Sequence, residues 1–150
     1  MTRQYQVADL VPHSGQMSLL TDILDYGEDW LQAEVEITAE STFADAQGVP
    51  AWIGLEYMAQ SIAAYSGLQE RREGGVPKIG LLLGTRKYRC SVDRFPLGSR
   101  LAIRVEPELV GDTGLNVFNC ELESGEITAS ATINVFQPED ADAFLEAARQ

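Results

Sequence analysis

Glu56 and Gln60 stand four residues apart in an otherwise apolar stretch, GVPAWIGLEYMAQSIAAYSG, over residues 48–67. On a helix that spacing puts the carboxyl and the carboxamide on one face, one turn from each other. A carboxylate on such a helix is costly unless paired or protonated. Glu56 is therefore a candidate for proton chemistry, with a thin polar stripe facing solvent as the plain alternative. The chain holds one histidine, His13, the side chain whose ordinary pKa lies nearest neutrality. Together they make the one obvious acid–base pair. Elimination of water from a 3-hydroxyacyl thioester needs such a pair, a base for the proton beside the carbonyl and an acid for the departing hydroxyl. A helix N-terminus aimed at the thioester oxygen would stabilise the developing enolate. His13 also suits a turn, where it would cap neighbouring backbone.

Other chemistries lack their residues. There is no Gly-rich phosphate loop, no GxSxG and no HExxH. With a single histidine and no CxxC, a metal site is not expected, and no cofactor motif is present. Cys90 and Cys120 read as reduced, half-buried strand residues. The N-terminal stretch has no apolar signal segment and no run is long enough to span a membrane, so the expectation is a cytoplasmic protein. The 150 residues fit one domain, 1–150. Net charge of −12 disfavours nucleic acid and anionic membrane as partners.

The charge is uneven. Nine of the eleven basic residues fall between Arg71 and Arg104, with only Glu73 and Asp93 among them. Arg86, Lys87 and Arg89 are the densest part, suited to an acidic or phosphorylated partner. Solvated strand charge paired with nearby carboxylates would look the same.

The elements that must position these groups follow from periodicity. The apolar stretch predicts one helix, with Pro50 in its first turn, Trp52, Leu55, Met58, Ala59, Ile62, Ala63 and Tyr65 on its apolar side, and Gly67 as its stop. Before it, Leu31, Ala33, Val35 and Ile37 alternate with polar residues as a strand with one wet face; residues 41–50 read as a loop. After it come four strands in an antiparallel meander, over 79–90, 100–110, 115–123 and 127–136, with turns at 93–99, 111–114 and 124–126. The first opens as a continuous apolar run, which suggests burial on both faces. A short acidic helix is expected over 139–148. An antiparallel sheet with one dry face needs cover, and a single long helix supplies it. The fold class is α+β, a hotdog, with an antiparallel sheet curved around one central helix and a dimer pairing two sheets. An open ferredoxin-like domain would need a second helix between strands, which the pattern lacks.

Several stretches also resemble a known family. VPHSGQMSLLTDIL resembles the opening of bacterial 3-hydroxyacyl-acyl carrier protein dehydratases of the FabZ/FabA type. GLEYMAQSIAAYSG is similar to their central-helix signature, and IGLLLGTRKYRC with RFPLGSRLAI to the strands that follow. The likeness runs from Leu10 to Phe136 and is nearest the ApeP-like branch of aryl-polyene clusters. It implies a hotdog dimer acting on acyl chains held by the phosphopantetheine of acyl carrier protein. Glu56 then corresponds to the helix acid, with Gln60 orienting it, and Ala51 and Trp52 border the substrate. Arg86, Lys87 and Arg89 become the carrier-docking residues. One departure stands out. Where the FabZ type has the catalytic histidine of a His-Phe-Pro-Gly motif, this chain reads Thr42-Phe43-Ala44-Asp45. Three outcomes follow: His13 is recruited, a second hotdog subunit supplies the base in a heterodimer, or the chain is a non-catalytic acyl-binding subunit. A hotdog thioesterase, with Asp45 or Glu56 activating water, is the alternative enzyme class.

Overall fold

The computed structural model describes residue 7 and residues 18–72, 81–110 and 115–136. The turn expected at 111–114, the C-terminal helix expected over 139–148, and His13 all lie outside these residues. The order is β1 (Asp22–Tyr26), β2 (Leu31–Glu36), β3 (Val49–Pro50), a 3-10 turn (Ala51–Ile53), α1 (Gly54–Arg72), β4 (Leu81–Cys90), β5 (Arg94–Phe95), β6 (Arg100–Val110), β7 (Leu115–Ser124) and β8 (Ile127–Phe136).

Six strands form one antiparallel sheet in the order β1-β2-β6-β7-β8-β4, and α1 packs against β6, β2, β7 and β8. This is the expected hotdog arrangement. The alternation that reads as a half-wet strand explains it. Leu31, Ala33 and Val35 of β2, Leu101, Ile103 and Val105 of β6, and Ala129, Ala131 and Ile133 of β8 are all buried. Register carries one inner row across the whole sheet: Ile23, Ala33, Ile103, Leu122, Ala129 and Cys90 are paired in succession. Each fully buried Ile or Leu in that row contributes roughly 1.5–3 kcal/mol, and α1 lays Met58, Ile62 and Leu68 over it, all at most 2% exposed.

Four expectations are corrected, three here and one, for Trp52, below. The four late strands do not form a meander. Only β6-β7-β8 run consecutively; β4 crosses over and pairs with β8. Both edges of β6 are already occupied, by β2 and β7, so β4 cannot lie beside it and takes the edge of β8. Gly67 does not end the helix, which runs on to Arg72. Burial of Leu68 just beyond it outweighs the modest cost of an interior glycine. Residues 93–99 are not turn throughout. They carry β5, paired through Phe95 with Val49 of β3, so the end of the expected 41–50 loop is strand as well, and Phe95 is fully buried against Tyr57 at 6.2 Å between ring centroids.

Trp52 also leaves the apolar face assigned to it. It is 63% exposed and meets the Phe43 ring at a tilt of 51°, with ring centroids 5.9 Å apart. Tyr57 fills the core instead, 2% exposed. The 3-10 turn before α1 shifts the helical phase of Trp52, which a uniform 3.6 period does not capture. The side chains of the apolar run that opens β4, Leu81 to Leu83, lie outside the described set.

Candidate functional site

The site begins where β3 delivers the chain into the helix. Pro50 sits at the cap with φ −55° and ψ 138°, and no side chain caps the turn. The Ala51 peptide is held on both sides. Its N–H donates to the carbonyl of Asp93 at 2.9 Å, and its carbonyl accepts the Tyr88 hydroxyl at 2.5 Å. The Gly54 N–H also reaches back to Ala51 and Trp52 carbonyls. In a helix the N–H groups that follow the cap have no intrahelical acceptor, and they carry the positive end of the dipole.

From this turn one face of the helix runs inward through Trp52, Glu56 and Gln60. Exposure falls along it. Trp52 is largely in solvent, Glu56 half-buried and Gln60 fully buried. Gln60 spans two groups: its Oε1 accepts the Leu19 N–H at 2.8 Å, and its Nε2 donates to Glu56 Oε1 at 3.2 Å. The Leu19 backbone can only donate, so it fixes which end of the amide faces Glu56. Glu56 Oε1 is therefore an acceptor, and among the described residues no hydrogen bond engages its other oxygen. The pairing expected from the i, i+4 spacing is present, and the anchor at Leu19 is an addition that no local pattern signals.

Beside this relay lies a groove of about 300 Å³, lined among others by Ser18, Leu19, Thr38, Ser41, Thr42 and Tyr57. Its walls are rich in hydroxyls. Burial pushes the Tyr57 phenol up to about 12 and the Cys120 thiol likewise to about 12. Both are neutral near pH 7, so neither serves as a base or nucleophile there. Burial, and then the neighbouring Cys90, raise Tyr88 further still and keep its hydroxyl a donor.

The loop that precedes the helix is occupied with itself. Asp45 Oδ1 accepts the Gln47 N–H at 2.8 Å and Oδ2 pairs with Arg94 at 2.8 Å. Phe43 adopts φ +69° with its ring 60% exposed. No histidine lies in this loop.

The expected basic surface is divided. Arg94 is turned to Asp45, Arg100 to Glu34 at 3.0 Å and Glu36 at 3.6 Å, and Arg104 to Glu106 at 3.8 Å with the Trp30 ring 4.4 Å away. Lys87 and Arg89 are exposed on β4, where each borders a shallow groove that Glu121 shares. The side chain of Arg86 lies outside the described set. Among the described residues no three of His, Cys, Asp and Glu gather as a metal site, and no helix is long and apolar enough to cross a membrane. Cys90 and Cys120 are free.

Comparison with known proteins adds to this geometry. A family model described as ApeP-like, ApeP dehydratase, matches residues 5–146. Among solved structures, the dehydratase heterocomplex ApeI:P from Xenorhabdus doucetiae is 25% identical, covers 99% of this chain and 100% of that one, and superposes with a TM-score of 0.86. A hypothetical thioesterase with coenzyme A from Streptococcus pneumoniae shares the fold at 17% identity, covering 77% of this chain and 84% of that one, TM-score 0.57. The PaaI protein of E. coli does so at 13% identity, 77% and 78% coverage, TM-score 0.60. None of the curated proteins matches the chain.

Proposed function

Because the chain belongs to the ApeP-like dehydratase family, we propose that it eliminates water from a 3-hydroxyacyl thioester carried on acyl carrier protein, giving the trans-2-enoyl thioester, in aryl-polyene or fatty-acid type biosynthesis. The observation that carries this reading is the relay from the Leu19 N–H through buried Gln60 to Glu56. It holds one carboxyl in the first turns of the helix, oriented, with its second oxygen unengaged among the described residues. In the reaction a base removes the proton beside the carbonyl, the electron pair forms the new double bond, and the C–O bond breaks. Glu56 protonates the departing hydroxyl, which leaves as water. First-turn N–H groups lower the cost of charge on the thioester oxygen. Ala51 and Trp52 border the acyl thioester, Gln60 orients Glu56, and His13 is the base. Arg86, Lys87 and Arg89 receive the acidic carrier protein. The whole of 1–150 acts as one hotdog domain in the cytoplasm, without cofactor or metal, and its partners exclude nucleic acid and membrane.

A second reading has its own support. Thr42 stands where the FabZ-type motif has histidine, and the ApeI:P relative was solved as a heterocomplex. On this reading the chain is a half-site subunit: Glu56 faces a base from a second hotdog subunit across the dimer. The test is dehydration of a 3-hydroxyacyl-carrier-protein substrate by the purified chain, alone and with a second hotdog dehydratase subunit, with His13→Ala alongside. Turnover by the chain alone that is lost in His13→Ala supports His13 as base. Turnover only in the mixture, indifferent to His13→Ala, supports the half-site. Free acid as product would instead make it a thioesterase.

A further inference from the structure

The dehydratase reading leaves unexplained a device on β4. Residues 86–89 break the ladder with β8: Arg86 pairs with Thr132 and Arg89 with Ser130, so Lys87 and Tyr88 together oppose the single residue Ala131. That is a β-bulge, a feature that re-aims a side chain. Lys87 adopts φ +56° to make it, a conformation unfavourable for any residue with a Cβ. The Tyr88 hydroxyl reaches the Ala51 carbonyl at 2.5 Å. The path is open because position 54 is glycine: a Cβ there would run into the Tyr88 hydroxyl and crowd the Phe95 ring at 3.2 Å. The small Ala131 faces the bulge from β8. The Asp93 carbonyl, five residues further along the same segment, takes the Ala51 N–H. A strained backbone, a required glycine and a half-buried phenol thus converge on one peptide of the first turn.

We infer that Tyr88 is a positioning residue, which fixes the Ala51 peptide and through it the first-turn N–H groups and Glu56, five residues on, for the elimination. It acts from an edge strand: among the described residues β4 pairs only with β8. The inference deepens the proposed dehydratase function and rests on it for its kinetic consequence, while the anchoring itself is readable without any reaction.

The test is Tyr88→Phe, with Gly54→Ala as a second variant, in whichever assembly the wild type is active. Tyr88→Phe keeps the ring and removes the donor. Expected is a fall in kcat of roughly ten- to a hundred-fold, the scale that misplacement by up to about 1 Å produces, with KM and both limbs of the pH profile unchanged. Gly54→Ala should reproduce the loss, and the double variant should be no worse than either single one. Amide exchange at Ala51, Ile53 and Gly54 should quicken in Tyr88→Phe, while amides of the inner sheet row keep their protection. Unchanged exchange in the first turn overturns the anchoring. Quickened exchange with kcat within twofold of wild type overturns the role in catalysis. Wild type that eliminates no water in any assembly sinks the dehydratase reading instead, and the exchange result then decides the anchoring alone.

Discussion

The two segments that meet at the start of α1 are built to different standards. On the helix side Gln60 is fully buried and joins the Leu19 backbone to Glu56. On the loop side the hydrogen bonds close the loop upon itself. The Ser41 N–H donates to Thr38, Ala44 to Ser41, Asp45 to Gly48 and Gly48 back to Asp45, all at 2.9–3.1 Å. The buried amide satisfies the Leu19 N–H and, at its other end, fixes the orientation of a half-buried carboxyl, a task that packing alone does not require. Such an arrangement makes sense where the carboxyl must be held for chemistry. The loop is a competent turn whose one carboxylate among residues 41–48, Asp45, is engaged by Gln47 and Arg94. The difference teaches that the helix side of the candidate site is organised around one carboxyl, while the described loop is organised around its own turns.

Glu56→Gln should break the helix side most deeply. The substitution is nearly isosteric and keeps an acceptor for Gln60, so stability should stay within about 0.5 kcal/mol. Turnover in the active assembly should fall by about 10²–10⁴, the span of a positioned acid. Asp45→Asn is the matched change in the loop. It loses only the half-exposed ion pair to Arg94, a contact worth about 0–1 kcal/mol, and should leave turnover within about twofold. Comparable losses from both variants would end the contrast and favour Asp45 as the base of a hydrolase.

Gln60→Leu sharpens the comparison at intermediate size. Leucine fills similar volume but strands the Leu19 N–H and releases Glu56. Leaving a buried donor unpaired costs about 1–3 kcal/mol, visible as a lower denaturation midpoint at unchanged slope. Turnover should fall about tenfold, less than for loss of the acid itself. A stable variant with normal turnover would mean that the amide is only packing.

How much of this is legible in the residues depends on how local the cause is. The alternation of Leu31, Ala33, Val35 and Ile37 states a strand and its wet face, because the period of two needs no partner to be recognised. The i, i+4 spacing states the Glu56–Gln60 pair for the same reason. Leu19 and Tyr88 are silent, since they reach the site from 41 and 37 residues away in sequence. Phe95 sits in a stretch, DRFPLGS, whose Pro, Gly and Ser read as turn, and only its pairing with Val49 reveals a strand. The place of β4 at the far edge depends on which edges other strands leave free, a property of the whole sheet.

The smallest effect belongs to Phe43, and it tests the loop directly. At φ +69° a phenylalanine carries strain of about 1–2 kcal/mol, and 60% of its surface is exposed, so little burial offsets it. Its ring contact with Trp52 is worth about 0.5–1.5 kcal/mol. Asparagine tolerates the left-handed region and adds none of the unfolded-state entropy of glycine. Phe43→Asn should therefore shift the unfolding free energy by less than about 1 kcal/mol, with turnover of the active assembly little changed. The two terms nearly cancel only if the loop is a free-standing turn in the folded chain. Destabilisation beyond about 2 kcal/mol would mean that the loop is packed as tightly as the helix side. The asymmetry between the two segments would then be one of residue type and not of construction.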